Sequence, residues 1–177
     1  MPDIRQRVEE DRGLLKKIQM IIPGYRGYRI REDLRDSDKM LRMELSKKLA
    51  LQRKQIEECR GEVVASMPLS KGLETLGGVI SQYKKVEGLM VHSDSGYSGI
   101  AADIKIQQNE MNQLYDYDLS ILENIQFIDQ GIGELRSAIT TNDDGKIKEA
   151  AKTVKMRLTG LEEKFAKRQA VIGGTGL

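Results

Sequence analysis

Between Met111 and Ile139 the core-forming positions recur at alternating steps of three and four: Met111, Leu114, Asp118, Ile121, Ile125, Ile128, Ile132, Leu135 and Ile139. Eight of these nine are apolar, which predicts a helix over about 111–139 with one buried stripe on which the rest of the chain assembles. The exception is Asp118, flanked by Tyr115 and Tyr117, and a carboxylate on a buried stripe needs a partner.

The same periodicity predicts four further helices. Residues 3–22 carry Ile4, Val8, Leu15, Ile18 and Ile22 on one line, and Pro23 and Gly24 then stop the helix. Residues 31–66 run without proline, about 54 Å at 1.5 Å per residue. Their apolar positions, Leu34, Leu41, Leu45, Leu49, Ile56 and Val63, contain a stutter at Leu41–Leu45–Leu49. Asp38 is a second carboxylate among them. A third helix over 69–91 places Leu69, Leu73, Leu76, Ile80, Tyr83 and Met90 in register, interrupted by Glu87. Its glycines weaken it, and the Gly77–Gly78 pair would admit a close backbone neighbour. A last helix over 146–169 aligns Ile147, Ala151, Val154, Leu158, Leu161 and Phe165. In residues 100–106 the period drops to two, which suggests a short extended segment or an edge strand.

The expected fold class is therefore all-α: an elongated, mostly antiparallel helical bundle with coiled-coil-like stripes and one long helix. Residues 1–66 would form an N-terminal helical hairpin with a long basic helix, 67–172 a three-helix core, and 173–177 a loose tail; one continuous domain is the simpler alternative. The long second helix would outrun its companions and offer a surface for self-association or a partner.

Composition agrees with helices, with 32% charged residues, 5% aromatic, three prolines and no tryptophan. The net charge of +2 hides a strong segregation. Residues 1–60 carry 16 basic and 11 acidic groups, 91–145 carry 2 and 10, and 146–177 carry 8 and 3. An acidic middle between basic ends favours antiparallel packing or head-to-tail contact between copies. Cys59 is the only cysteine, so no intrachain disulfide can form. The charged start and the lack of a long apolar run predict neither a secretory signal nor a transmembrane segment, and hence a cytoplasmic protein.

Chemistry is sparse. With His92 as the only histidine, no HExxH and no paired Glu-x-x-His motif exists, and no metal site or other cofactor is expected. TTNDDGKIKEAA (140–151) has Thr140 and Ala151 where a calcium loop needs carboxylates. HSDSGYSG holds triad residue types as sequence neighbours, an arrangement that rarely reaches triad geometry, and no catalytic residue is assigned. Two features remain. One is the corner PGYRGY, with Tyr25, Arg26 and Tyr28. The other is the GYSG loop, whose Tyr97 and Ser98 are the expected donors to Asp118, with a corner arginine as second choice. Tyr97, Ser98, Tyr115 and Asp118 are thus the loop-anchoring or recognition candidates.

IIPGYRGYRIREDLRDSDKMLR (21–42) and GYSGIAADIKIQQNEMNQLYDYDLSILENI (96–125) resemble a family of helical bacterial and archaeal proteins with a PGY-basic-GY corner and a GYxG loop. The segment after GYSG departs from that pattern, with IAADI where a larger aromatic residue is expected. The resemblance implies a helical fold, attaches no activity, and singles out Tyr97, Tyr115 and Asp118. The functional expectation is a non-enzymatic scaffold or adaptor that acts through protein–protein contacts and self-associates. The alternative is a nucleic-acid or anionic-membrane surface module using the basic N-terminal region.

Overall fold

A computed structural model describes residues 4–27, 31–93 and 108–172, with side chains from 12–27, 35–93 and 111–172. The described residues form five helices: α1 (Ile4–Ile21), α2 (Arg31–Ser66), α3 (Gly72–His92), α4 (Gln108–Thr140) and α5 (Asp144–Ile172). The protein is all-α, as its periodicity requires. Residues 100–106, where an extended segment was expected, lie outside the described residues, as do Tyr28, Tyr97 and Ser98.

Helices α2 to α5 close a four-helix bundle in which α2 packs on α3 and α4, while α5 packs on α3 and α4. The chain runs up and down, yet only two of the four neighbouring pairs are antiparallel. Arg42 reaches Met90 and Gln52 reaches Tyr83, so α2 and α3 run in opposite senses. Between α3 and α5, Gly78 meets Lys155, Gln82 meets Thr159 and Lys85 meets Glu162, a constant offset of 77 residues that only parallel helices give. The pairs Gln52–Asp129 and Glu58–Arg136 make α2 and α4 parallel too. The bundle is two antiparallel hairpins, α2–α3 and α4–α5, laid side by side in the same sense.

Where a three-helix core of α3, α4 and α5 was expected, α3 and α4 stand on opposite corners of the bundle and α2 joins them as a fourth member. Leu41, Leu45, Leu49, Ile56 and Val63 of α2 are fully buried in the same cluster as the stripes of α4 and α5, so this stripe is spent inside the bundle rather than left protruding. At 33 residues α4 nearly matches the 36 of α2, and two long helices cover each other where one was expected to overhang.

In α3 the buried line is Gly72, Leu76, Val79, Tyr83, Val86 and Met90, rotated from the expected one. Glu87 consequently sits at the margin and bonds Arg53 at 2.7 Å. Leu69 stays 95% exposed because Pro68 starts a turn rather than a helix. Nothing crowds Gly77. The close approaches fall elsewhere: a Cβ at Gly72 would lie 2.8 Å from Ile147 Cγ2, and one at Gly131 would lie 3.1 Å from Val154 Cγ2.

The turn of the neighbouring hairpin, α4–α5, is short. Asn142 takes a left-handed conformation (φ 51°), and the Asp143 carboxylate accepts the Lys146 N–H at 3.0 Å, capping α5. Helix α1 lies outside the bundle against α4, held by Ile18 and Ile22.

Candidate functional site

At the end of the bundle where α2 and α4 begin and α3 and α5 finish, the apolar stripes of three helices are each interrupted by a charge. Asp38 on α2, Asp118 on α4 and Arg168 on α5 are fully buried, and Arg42, one turn beyond Asp38, is nearly so. Arg168 sits between the two acids. Its Nε donates to Asp118 Oδ1 and its Nη1 to Asp38 Oδ1, each at 2.5 Å. The Arg42 Nε donates to the other oxygen of Asp38 at 2.7 Å, and its Nη1 to the Met90 carbonyl of α3 at 3.3 Å. The second oxygen of Asp118 accepts the Tyr25 hydroxyl at 2.6 Å.

All four carboxylate oxygens are therefore engaged by donors, and among the described residues two acids face two guanidinium groups. Isolated charges in such a place would be expelled or neutralised; paired and fully hydrogen-bonded, they hold one geometry among four helices.

The PGYRGY corner is what brings Tyr25 there. Gly24 and Gly27 both adopt left-handed conformations (φ 86° and 87°), folding the chain back under α1. Ser37 then pins Gly27 from both sides: its hydroxyl accepts the Gly27 N–H at 3.0 Å and donates to the Gly27 carbonyl at 2.9 Å. The Gln19 side chain donates to the Tyr25 carbonyl at 2.9 Å. A side chain at Gly27 would overlap the Tyr115 hydroxyl, so the corner and α4 meet with no room for a Cβ.

The structure brings Tyr25, Tyr115 and Asp118 together and leaves Arg26 exposed. Asp118 faces the bundle, as its place on the stripe requires. Of the arginines around the corner, Arg26 is exposed, while Arg29 and the Arg31 side chain lie outside the described residues; the donors described for Asp118 are Tyr25 of the corner and Arg168 of α5. The expected donors Tyr97 and Ser98 fall outside the described residues. Arg168 was missed, although the signal was present: continuing the stripe of α5 by the next step of three from Phe165 lands on it.

A second buried polar bridge lies midway along the bundle. Gln52 donates to the Ile125 carbonyl at 3.0 Å and to Asp129 at 2.7 Å, and its carbonyl oxygen accepts the Tyr83 hydroxyl at 3.4 Å. Burial first, then the nearby Asp129 and Glu87 charges, push the Tyr83 hydroxyl far above the usual tyrosine range, so it stays protonated as a donor. Burial likewise raises the Cys59 thiol above its ordinary value. Among the described residues no group of three or more histidine, cysteine or acidic side chains is arranged to hold a metal, and no helix is long and apolar enough to cross a membrane.

Fold and site together define an all-α bundle tied at one end by a buried charge cluster. Comparison with protein-family models, curated proteins and solved structures gave no match, so the resemblance of the corner and loop rests on those residues alone.

Proposed function

We propose that the protein is a non-enzymatic helical scaffold or adaptor of the cytoplasm, working through protein–protein contacts that include self-association. The observation that carries this reading is the saturation of the buried cluster. A catalytic carboxylate must offer a lone pair or a proton to a substrate, and both acids here give all their oxygens to internal donors in a site closed to water. Such a cluster stiffens the bundle and specifies how its helices meet, which suits a surface that must hold its shape for a partner.

Photo-crosslinking from positions on the outer faces of α2 and α4, in cells that make the protein, tests the proposal. Crosslinks to protein, whether other copies or different chains, are expected. The competing reading, binding to nucleic acid or anionic lipid through the basic N-terminal region, draws on the exposed Lys39, Lys47 and Lys54. No protein crosslinks, together with salt-sensitive retention on DNA, RNA or anionic vesicles, would replace the scaffold reading with it.

A further inference from the structure

Both long helices leave one side to solvent, and the two sides carry opposite charge around apolar centres. On α2, Leu41, Leu45, Leu49 and Ile56 mark the inward side. Opposite them, Met43, Lys47, Leu51 and Lys54 fall within about 80° of one another at roughly 100° per residue. Met43 is 64% and Leu51 57% exposed. The neighbouring acids Glu44, Glu57 and Glu58 are already paired, with Lys48, Arg53 and Arg136. Lys47 and Lys54 have no ion-pair partner among the described residues.

On α4, Glu123, Phe127 and Glu134 fall within about 40°, on the side turned away from α2 of the same chain. Phe127 is 50% exposed, and neither glutamate has an ion-pair partner among the described residues. A large aromatic ring left in water between unpaired acids is a recognition element in search of a basic, apolar counterpart. The α2 face supplies that chemistry.

We propose that the α2 face of one copy docks on the α4 face of a second copy, antiparallel, with Leu51 over Phe127. That approach sets Lys54 opposite Glu123 and brings Lys47 within a turn of Glu134. The parallel alternative sets only Lys47 opposite an acid, Glu123; Lys54 then meets Gln130, and Glu58, held by Arg136, meets Glu134, so one pair of opposite charges replaces two. Because the two faces differ, the contact is heterologous: each added copy leaves one α2 face and one α4 face open, and assembly either continues or closes into a ring. The proposal rests on the scaffold reading and gives it a partner and an address.

Sedimentation of the full chain at two salt concentrations, beside K47E/K54E and E123K/E134K variants, tests it. All four positions are exposed, and helical circular dichroism and melting confirm that the variants fold. The unaltered chain is expected to form species beyond the dimer as concentration rises, less so in high salt. Each variant alone is expected to associate about tenfold more weakly or worse, since attraction becomes repulsion. An equimolar mixture of the two variants restores association, because the acidic α2 of one then meets the basic α4 of the other.

Association indifferent to both reversals would overturn this interface and leave the scaffold reading intact. A chain that is monomeric at every concentration would also overturn it, and protein crosslinks to other chains would still support the scaffold. Loss of retention on anionic vesicles or nucleic acid in K47E/K54E, without any self-association, would overturn it in favour of a surface-binding role for those lysines.

Discussion

The two ends of the bundle are tied by different physics. At one, Asp38, Arg42, Asp118 and Arg168 are removed from water and joined to the corner through Tyr25. At the other, Ser70 donates to the Asp144 carboxylate, the Lys71 N–H approaches the same group at 3.4 Å, and the tie lies near solvent. Its strength comes from apolar fit, with Gly72 pressed against Ile147. A hydrogen bond to a carboxylate near water competes with solvent and gives little, whereas a desolvated ion pair is costly to leave half made. The difference teaches that the first end is specified by charge and the second by shape.

The largest expected effect tests that contrast at the charged end. Arg168→Met leaves two buried carboxylates each short of a donor, and should cost about 3 to 5 kcal/mol in denaturant unfolding. Replacing Asp38, Arg42, Asp118 and Arg168 together with apolar residues of similar volume should cost far less. A quadruple variant as unstable as Arg168→Met would mean that the charges supply stability as well as specificity.

At the other end, Gly72→Ala forces a methyl to within 2.8 Å of Ile147 Cγ2 and should cost about 1 to 3 kcal/mol, measured the same way. An unchanged midpoint would show that α5 can shift and that shape does not hold this end. Smaller again is Tyr25→Phe, which removes a donor from Asp118 and should cost about 1 to 2 kcal/mol.

The smallest effect is one of pH. The Ser70 hydroxyl, followed by backbone N–H groups, lowers the Asp144 carboxyl below its ordinary value. A depressed folded value stabilises above the unfolded Asp value of about 3.9 and is lost as pH falls through the lower folded one. The Asp144→Asn protein should therefore show a slightly shallower loss of melting temperature below that pH than the unaltered chain.

Helix positions were legible because the stripes are long and regular, and α4 and α5 follow theirs nearly residue for residue. The rotation of α3 was not legible, since Leu73 and Ile80 are as apolar as Val79 and Val86; the choice is made by α2 and α5 pressing from two sides. Parallel pairing of α3 with α5 likewise leaves no mark in either helix alone. At the site, Asp118 announced a partner but not its identity, because Tyr25 lies 93 residues away and Arg168 50. An arginine on the stripe of α5, facing two acids on the stripes of α2 and α4, was the available clue.

Sequence separation also decides when the cluster forms. The α4–α5 hairpin closes over a turn of three residues between Thr140 and Asp144, while Arg168 must find Asp38 across 130 residues. Local contacts form before distant ones whose loop-closure entropy is larger. The Arg168–Asp38 pair is then expected to form after the rate-limiting step of folding and to break before the corresponding step of unfolding. Arg168→Met should leave the folding arm of a stopped-flow chevron almost unmoved and shift nearly all its effect into faster unfolding. By that account the buried charges act as a latch: they set how long the bundle stays shut, and have little influence on how fast it closes.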